Sequence, residues 1–95
     1  MKMLLIFYTG SDPRFVSDYL SGHGCPWTEF AGVVGHGAHV RHDGSRTFPG
    51  ETWTTISILE ESVCDRMVFR LREVAASMSE SERLHMAVLP VEMFE

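Results

Sequence analysis

The apolar residues Cys64, Met67, Val68, Leu71, Val74, Ala75 and Met78 recur at i, i+3, i+4, i+7 spacing, and no strand can bring such a set onto one side. The stripe predicts a long amphipathic helix that starts at Ser62, with Asp65 three positions on in the arrangement of a capping box. A helix with one apolar stripe must be laid on an apolar surface, and the rest of the chain reads as the strands that supply it. Met3 to Tyr8 is a continuous apolar run, as expected of a central strand. Asp12 and Pro13 then predict the start of a short helix carrying Phe15, Val16, Tyr19 and Leu20, which Gly22 and Gly24 stop. Thr28 to Val34 and Leu84 to Val91 read as further strands. Between them Trp53 to Leu59 alternates, with Ile56 and Ile58 facing one way and Trp53, Thr55 and Ser57 the other.

The predicted order is β-α-β-β-α-β. Right-handed crossovers on one sheet make this an α+β chain of ferredoxin-like topology, a four-stranded antiparallel sheet with two helices on one face. The other face then lacks a cover, and Trp53, Trp27, Thr55 and Leu59 are the residues assigned to it. Ninety-five residues form one domain with a modest core, a size at which self-association is a common source of extra burial. The net charge of −5 argues against a nucleic-acid binder, which needs a basic stripe. The basic residues cluster only at Arg66, Arg70 and Arg72 on the long helix and at Arg41 and Arg46. The opening Met1–Tyr8 run is too short for a membrane span and lacks a cleavage pattern. With two cysteines, Cys25 and Cys64, the chain is expected to be cytoplasmic and reduced, with no membrane insertion.

The connection from about residue 35 to 52 is far longer than a hairpin needs, and loops of that length are usually functional or disordered, readings its composition supports alike. His36, His39 and His42 stand at three-residue intervals beside Asp43, donors that suit zinc, copper or nickel if the loop folds back on itself. A solvated loop that merely contains histidines carries more weight than a dedicated metal site. Arg41 and Arg46, with the backbone N–H groups of Gly35, Gly37 and Gly44, make an anion the second reading. His23 and His85 read as ordinary structural histidines. Cys25, beside Pro26, reads as a turn residue and has no histidine placed to activate it.

Val33-Val34-Gly35-His36-Gly37 and the return Phe48-Pro49-Gly50-Glu51-Thr52-Trp53 resemble the segments that frame the T-loop of the P-II signalling superfamily, in particular its short divergent P-II-like members. The resemblance covers most of the chain in element order and residues 33 to 53 in motif. It implies one P-II-like domain over 1–95 and a homotrimer whose sheets enclose a common core. It further implies a non-enzymatic regulator that senses an effector in an intersubunit cleft and acts through the loop on a protein target, of which a transporter is one type. By that reading Gly35, His36, Gly37, Arg41, Arg46, Gly50 and Glu51 bind the effector, and His36, His39 and His42 are the metal candidates. The effector is a divalent metal ion or an anionic small molecule. The basic and glycine-rich segments by which P-II proteins hold ATP are absent from Glu60–Asp65 and Leu84–Glu95, which places ATP in doubt. Phe48 stands nearest the place of the family's modified tyrosine, so that modification is expected to be absent. Two alternatives share the element order: a small dimeric α+β-barrel enzyme with His36 as acid/base, and a CutA-type divalent-cation tolerance protein.

Overall fold

The computed structural model describes residues 1–33 and 52–95. In order, the elements are β1 (Lys2–Thr9), α1 (Phe15–Gly22), β2 (Thr28–Val33), β3 (Thr52–Leu59), α2 (Glu61–Ala76) and β4 (Arg83–Pro90). The strands form one sheet in the order β2-β3-β1-β4, and every pairing is antiparallel. The connection through α1 passes over β3, and that through α2 passes over β1. This is the split β-α-β arrangement expected from the sequence.

β1 is central because it is apolar on both sides. Leu4, Ile6 and Tyr8 are buried, while Met3, Leu5 and Phe7 alternate with them at intermediate exposure. On α2 the predicted stripe meets the sheet: Cys64, Met67 and Leu71 are buried and Val68, Ala75 and Met78 pack against them. Val16 and Leu20 bring α1 into the same core. α1 ends in a closed C-cap. Gly24 adopts φ 72°, its N–H bonds to the Ser21 carbonyl and the Cys25 N–H bonds to that of Leu20. The residue at this turn must occupy the left-handed region, where glycine has no Cβ penalty.

The helix starts differ from the sequence reading. α2 begins at Glu61 with Glu60 as N-cap and no side-chain cap, so Ser62 lies inside the first turn and the capping box does not form. α1 begins at Phe15. Asp12 instead closes the preceding turn, accepting the Arg14 N–H on its carboxylate at 3.0 Å and the Phe15 N–H on its carbonyl.

The larger correction concerns which side of β3 is covered. Leu4 pairs with Ser57, Ile6 with Thr55 and Tyr8 with Trp53, so these residues share the helix side. Thr55, Ser57 and Leu59 are 0%, 1% and 5% exposed. They lie under the helices and not on the open face to which Thr55, Leu59 and Trp53 were assigned. The open face carries Ile56 and Ile58, level with Leu5 and Met3. Polarity misleads here because the helix side can take small hydroxyl residues on β3. Ser57 donates its hydroxyl hydrogen to the Pro26 carbonyl, and the bulk of the core comes from β1 and the helices.

Candidate functional site

Four strand ends converge where the long connection leaves the sheet. Val33 pairs with Thr52, Thr52 with Thr9 and Thr9 with Arg83, so one row of backbone crosses the whole sheet at the base of the loop. The register of β2 shifts between Phe30 and Val33, an irregularity that bends a strand and often marks a functional edge. On the open side the Thr9 and Thr52 hydroxyls lie 2.9 Å apart and share a hydrogen.

Beneath this row, on the helix side, an aromatic group anchors the base. The Tyr8 ring lies 5.2 Å from that of Phe15 and 6.4 Å from that of Trp53. Its hydroxyl donates to the Glu82 carboxylate at 2.9 Å, tying the turn before β4 to the end of β1. Burial, and then the bond to Glu82, push the Tyr8 hydroxyl above its usual pKa. Gly10 lies two positions on, and a Cβ there would overlap the Tyr8 hydroxyl and ring. From sequence Tyr8 is the last apolar residue of a strand. Only its meeting with Glu82 across the sheet, 74 positions apart, shows that the two brace the loop base.

The effector residues predicted from sequence, Gly35, His36, Gly37, Arg41, Arg46, Gly50 and Glu51, lie outside the described residues, as do the metal candidates His36, His39 and His42. Among the described residues, no group of three or more His, Cys, Asp or Glu side chains is placed to hold a metal ion. His23 and His85 are exposed, and His23 lies against the ring of Tyr19, 4.7 Å between centroids. Cys25 and Cys64 are free and buried. Burial raises both thiols, against which Arg66 acts at Cys25 and Lys2 at Cys64, so neither is poised as a thiolate nucleophile. No helix among the described residues is long and apolar enough to cross a membrane.

The open face of the sheet changes character along its length. Far from the loop, Met3, Ile58 and Leu89 stand level, then Leu5, Ile56 and Ala87. Nearer the loop come Phe7, Thr54 and His85, with Phe30 beside Thr54, and last Thr9, Thr52 and Arg83. Phe30 is 50% and Leu89 45% exposed. The face is thus apolar at one end and grades into hydroxyls and charge at the loop base.

One polar contact on the helix side is unsatisfied. Thr55 faces Glu29 across β2 and β3, yet the Thr55 hydroxyl and one Glu29 carboxylate oxygen are both buried with no hydrogen-bond partner among the described residues. An orphaned buried hydroxyl costs about 1–3 kcal/mol. The near-isosteric Thr55→Val should therefore raise stability by about 1 kcal/mol in urea unfolding, in contrast to the loss typical of core substitutions. A decrease of that size would mean that the hydroxyl is bonded in solution.

No family model and no curated protein matches this chain. Among solved structures it is similar to the PII protein CPII, bound to ADP and bicarbonate, from Thiomonas intermedia K12. The TM-score is 0.60 over 93% of this chain and 86% of that one, at 19% identity. The chain has a P-II-like fold.

Proposed function

We propose that the chain is a non-enzymatic regulatory protein of the P-II-like type. In this reading it is a homotrimer that senses a small effector beside the loop and passes the state to a protein partner. The observation that carries this is the P-II-like fold, which extends over 93% of the chain. The open sheet face adds support. A small domain that leaves isoleucines, Leu5 and Phe7 on an uncovered face has strong reason to bury them against copies of itself.

The graded polarity of that face fits such an assembly. Its apolar end suits a dry centre where the sheets meet. The Thr9, Thr52 and Arg83 end suits a hydrated cleft at the loop base. The effector is assigned to Gly35, His36, Gly37, Arg41, Arg46, Gly50 and Glu51, where glycine N–H groups and two guanidinium groups favour an anion. The histidines His36, His39 and His42 offer a divalent metal a second mode of binding. The similar protein carries ADP and bicarbonate, which makes these two the first anions to test.

Native mass spectrometry with ADP, ATP, bicarbonate, zinc, copper and nickel tests both halves of the reading. A three-fold species is expected, with anion binding that weakens at least tenfold in Arg41→Ala or Arg46→Ala. A metal-driven response should instead weaken in at least two of His36→Ala, His39→Ala and His42→Ala. A two-fold assembly through the open sheet face, which Phe7→Glu would dissociate, would overturn the regulator and favour an α+β-barrel enzyme using His36.

A further inference from the structure

Arg66, Arg70 and Arg72 are all exposed on α2, and nothing in the regulator reading uses them. Among them Phe69 is 61% exposed, on the side of the helix away from Cys64, Met67 and Leu71. Arg66, Phe69, Arg70 and Glu73 stand at i, i+3, i+4 and i+7, so they form one continuous outward row. Asp65 and Arg72 flank it at one edge. Among the described residues the ion pair found is Arg14–Asp18, and Arg66, Arg70 and Glu73 enter none. Arg66 and Arg70 also repel one another at i, i+4 spacing. Among the described residues an aromatic ring and three charges of this row therefore have no structural partner.

The row is complementary to itself. When it lies antiparallel on a second copy, about a two-fold axis between positions 69 and 70, Arg66 faces Glu73 of the other copy. Phe69 then faces Arg70 of the other copy, an arginine-on-ring contact. Each contact occurs twice by symmetry, and Ser62 and Ser77 meet at the ends. We propose that α2 pairs antiparallel with α2 of a second copy through this row. The contact is isologous, so between two lone chains it closes at two.

One helix-on-helix contact falls short of the roughly 1,200 Å² that a stable complex buries. Pairing is therefore weak and appears at high protein concentration. It uses the helix layer, on the opposite side of the molecule from the open sheet face, and does not rest on the three-fold assembly. A trimer presents three such rows, so pairing would join trimers into particles of six chains and more, whereas a chain kept monomeric by Phe7→Glu would pair into a dimer.

Sedimentation velocity from about 10 μM to 1 mM on the full chain, on Arg66→Glu, on Glu73→Arg and on their equimolar mixture tests the proposal, with circular dichroism to verify folding. The parent should show a rise in mass with concentration that starts with a two-fold step. Either single variant should weaken that step about tenfold, because symmetry makes each substitution turn two attractions into two repulsions. The mixture should recover pairing to about the parent level, since each introduced charge then faces its opposite. A parent with no concentration-dependent step overturns the proposal, as does a mixture no better than the single variants. An Asp- and Leu-rich peptide that shifts the α2 amide resonances of a chain that does not self-pair also overturns it, and gives the row to an acidic partner. In the Phe7→Glu background the step should persist from one chain to two, which separates failure of the α2 contact from failure of the three-fold reading.

Discussion

Under the three-fold reading, Phe7→Glu is expected to abolish assembly while leaving the individual fold intact. Phe7 lies on the open side of β1 between Thr54 and His85, and it has intermediate exposure in the lone chain. A carboxylate there remains in contact with water until the sheets come together. Assembly would then bury a carboxylate from every copy near a common centre, where like charges repel and each costs several kcal/mol to desolvate. Three copies repeat the cost, which exceeds what a small interface recovers. At about 10 μM, where a standard-size interface remains closed, light scattering should report a particle near the 10.7 kDa of one chain, with unchanged far-ultraviolet dichroism. A variant that stays three-fold would show that the open face is not where the copies meet.

Gly10→Ala should produce the largest loss of stability among single-methyl additions. The added Cβ would overlap the Tyr8 hydroxyl and ring, and Tyr8 cannot swing away. It is 1% exposed, held between Phe15 and Trp53 and bonded to Glu82. Relief requires either a shift of the backbone after β1 or loss of the Glu82 bond. Overpacking of this type costs about 1–3 kcal/mol, and a lost bond to a charged acceptor adds about 1.5 kcal/mol or more. For a domain of this size a loss of about 3 kcal/mol lowers Tm by roughly 12–24 °C. Gly22→Ala is the matched control. It adds the same methyl at the end of α1 with nothing within 4 Å, and should be neutral or slightly stabilising. Equal melting temperatures for the two variants would mean that the Tyr8–Gly10 approach loosens in solution.

Element order was legible because periodicity is a local property. The α2 stripe and the apolar run of β1 each declare their geometry within a few residues, and the α1 stop at Gly22 and Gly24 does so through turn chemistry. The sidedness of β3 was not legible. Alternation says that Ile56 and Ile58 share a face but not which face the helices take, and the greasier face is the natural guess for the covered one. That guess fails because the helices bring Val16, Leu20, Met67 and Leu71 to the core, and the middle of β3 meets them with the small residues Thr55 and Ser57. The helix starts were missed for a similar reason: a capping side chain is a local preference that tertiary placement overrode at Ser62. Of the candidate site, the loop-base row of Thr9, Thr52, Tyr8 and Glu82 depends on contacts between distant positions, which no local pattern reveals. The predicted ligand residues between Gly35 and Glu51 lie outside the described residues and rest on the chemistry of their side chains.

The inverted polarity of β3 also bears on how the protein responds to its own abundance. A chain that buries Thr55 and Ser57 beneath its helices and turns Ile56 and Ile58 outward places part of its apolar surface on the open side of the sheet. Under the three-fold reading, folding and association are then linked equilibria, and mass action makes the melting temperature climb with total protein. Dilution would not merely separate the copies. It would leave each with a thin core and an exposed apolar sheet, the condition in which chaperones and proteases act on a chain. The amount of protein made would thus set both how much regulator is assembled and how long each copy survives.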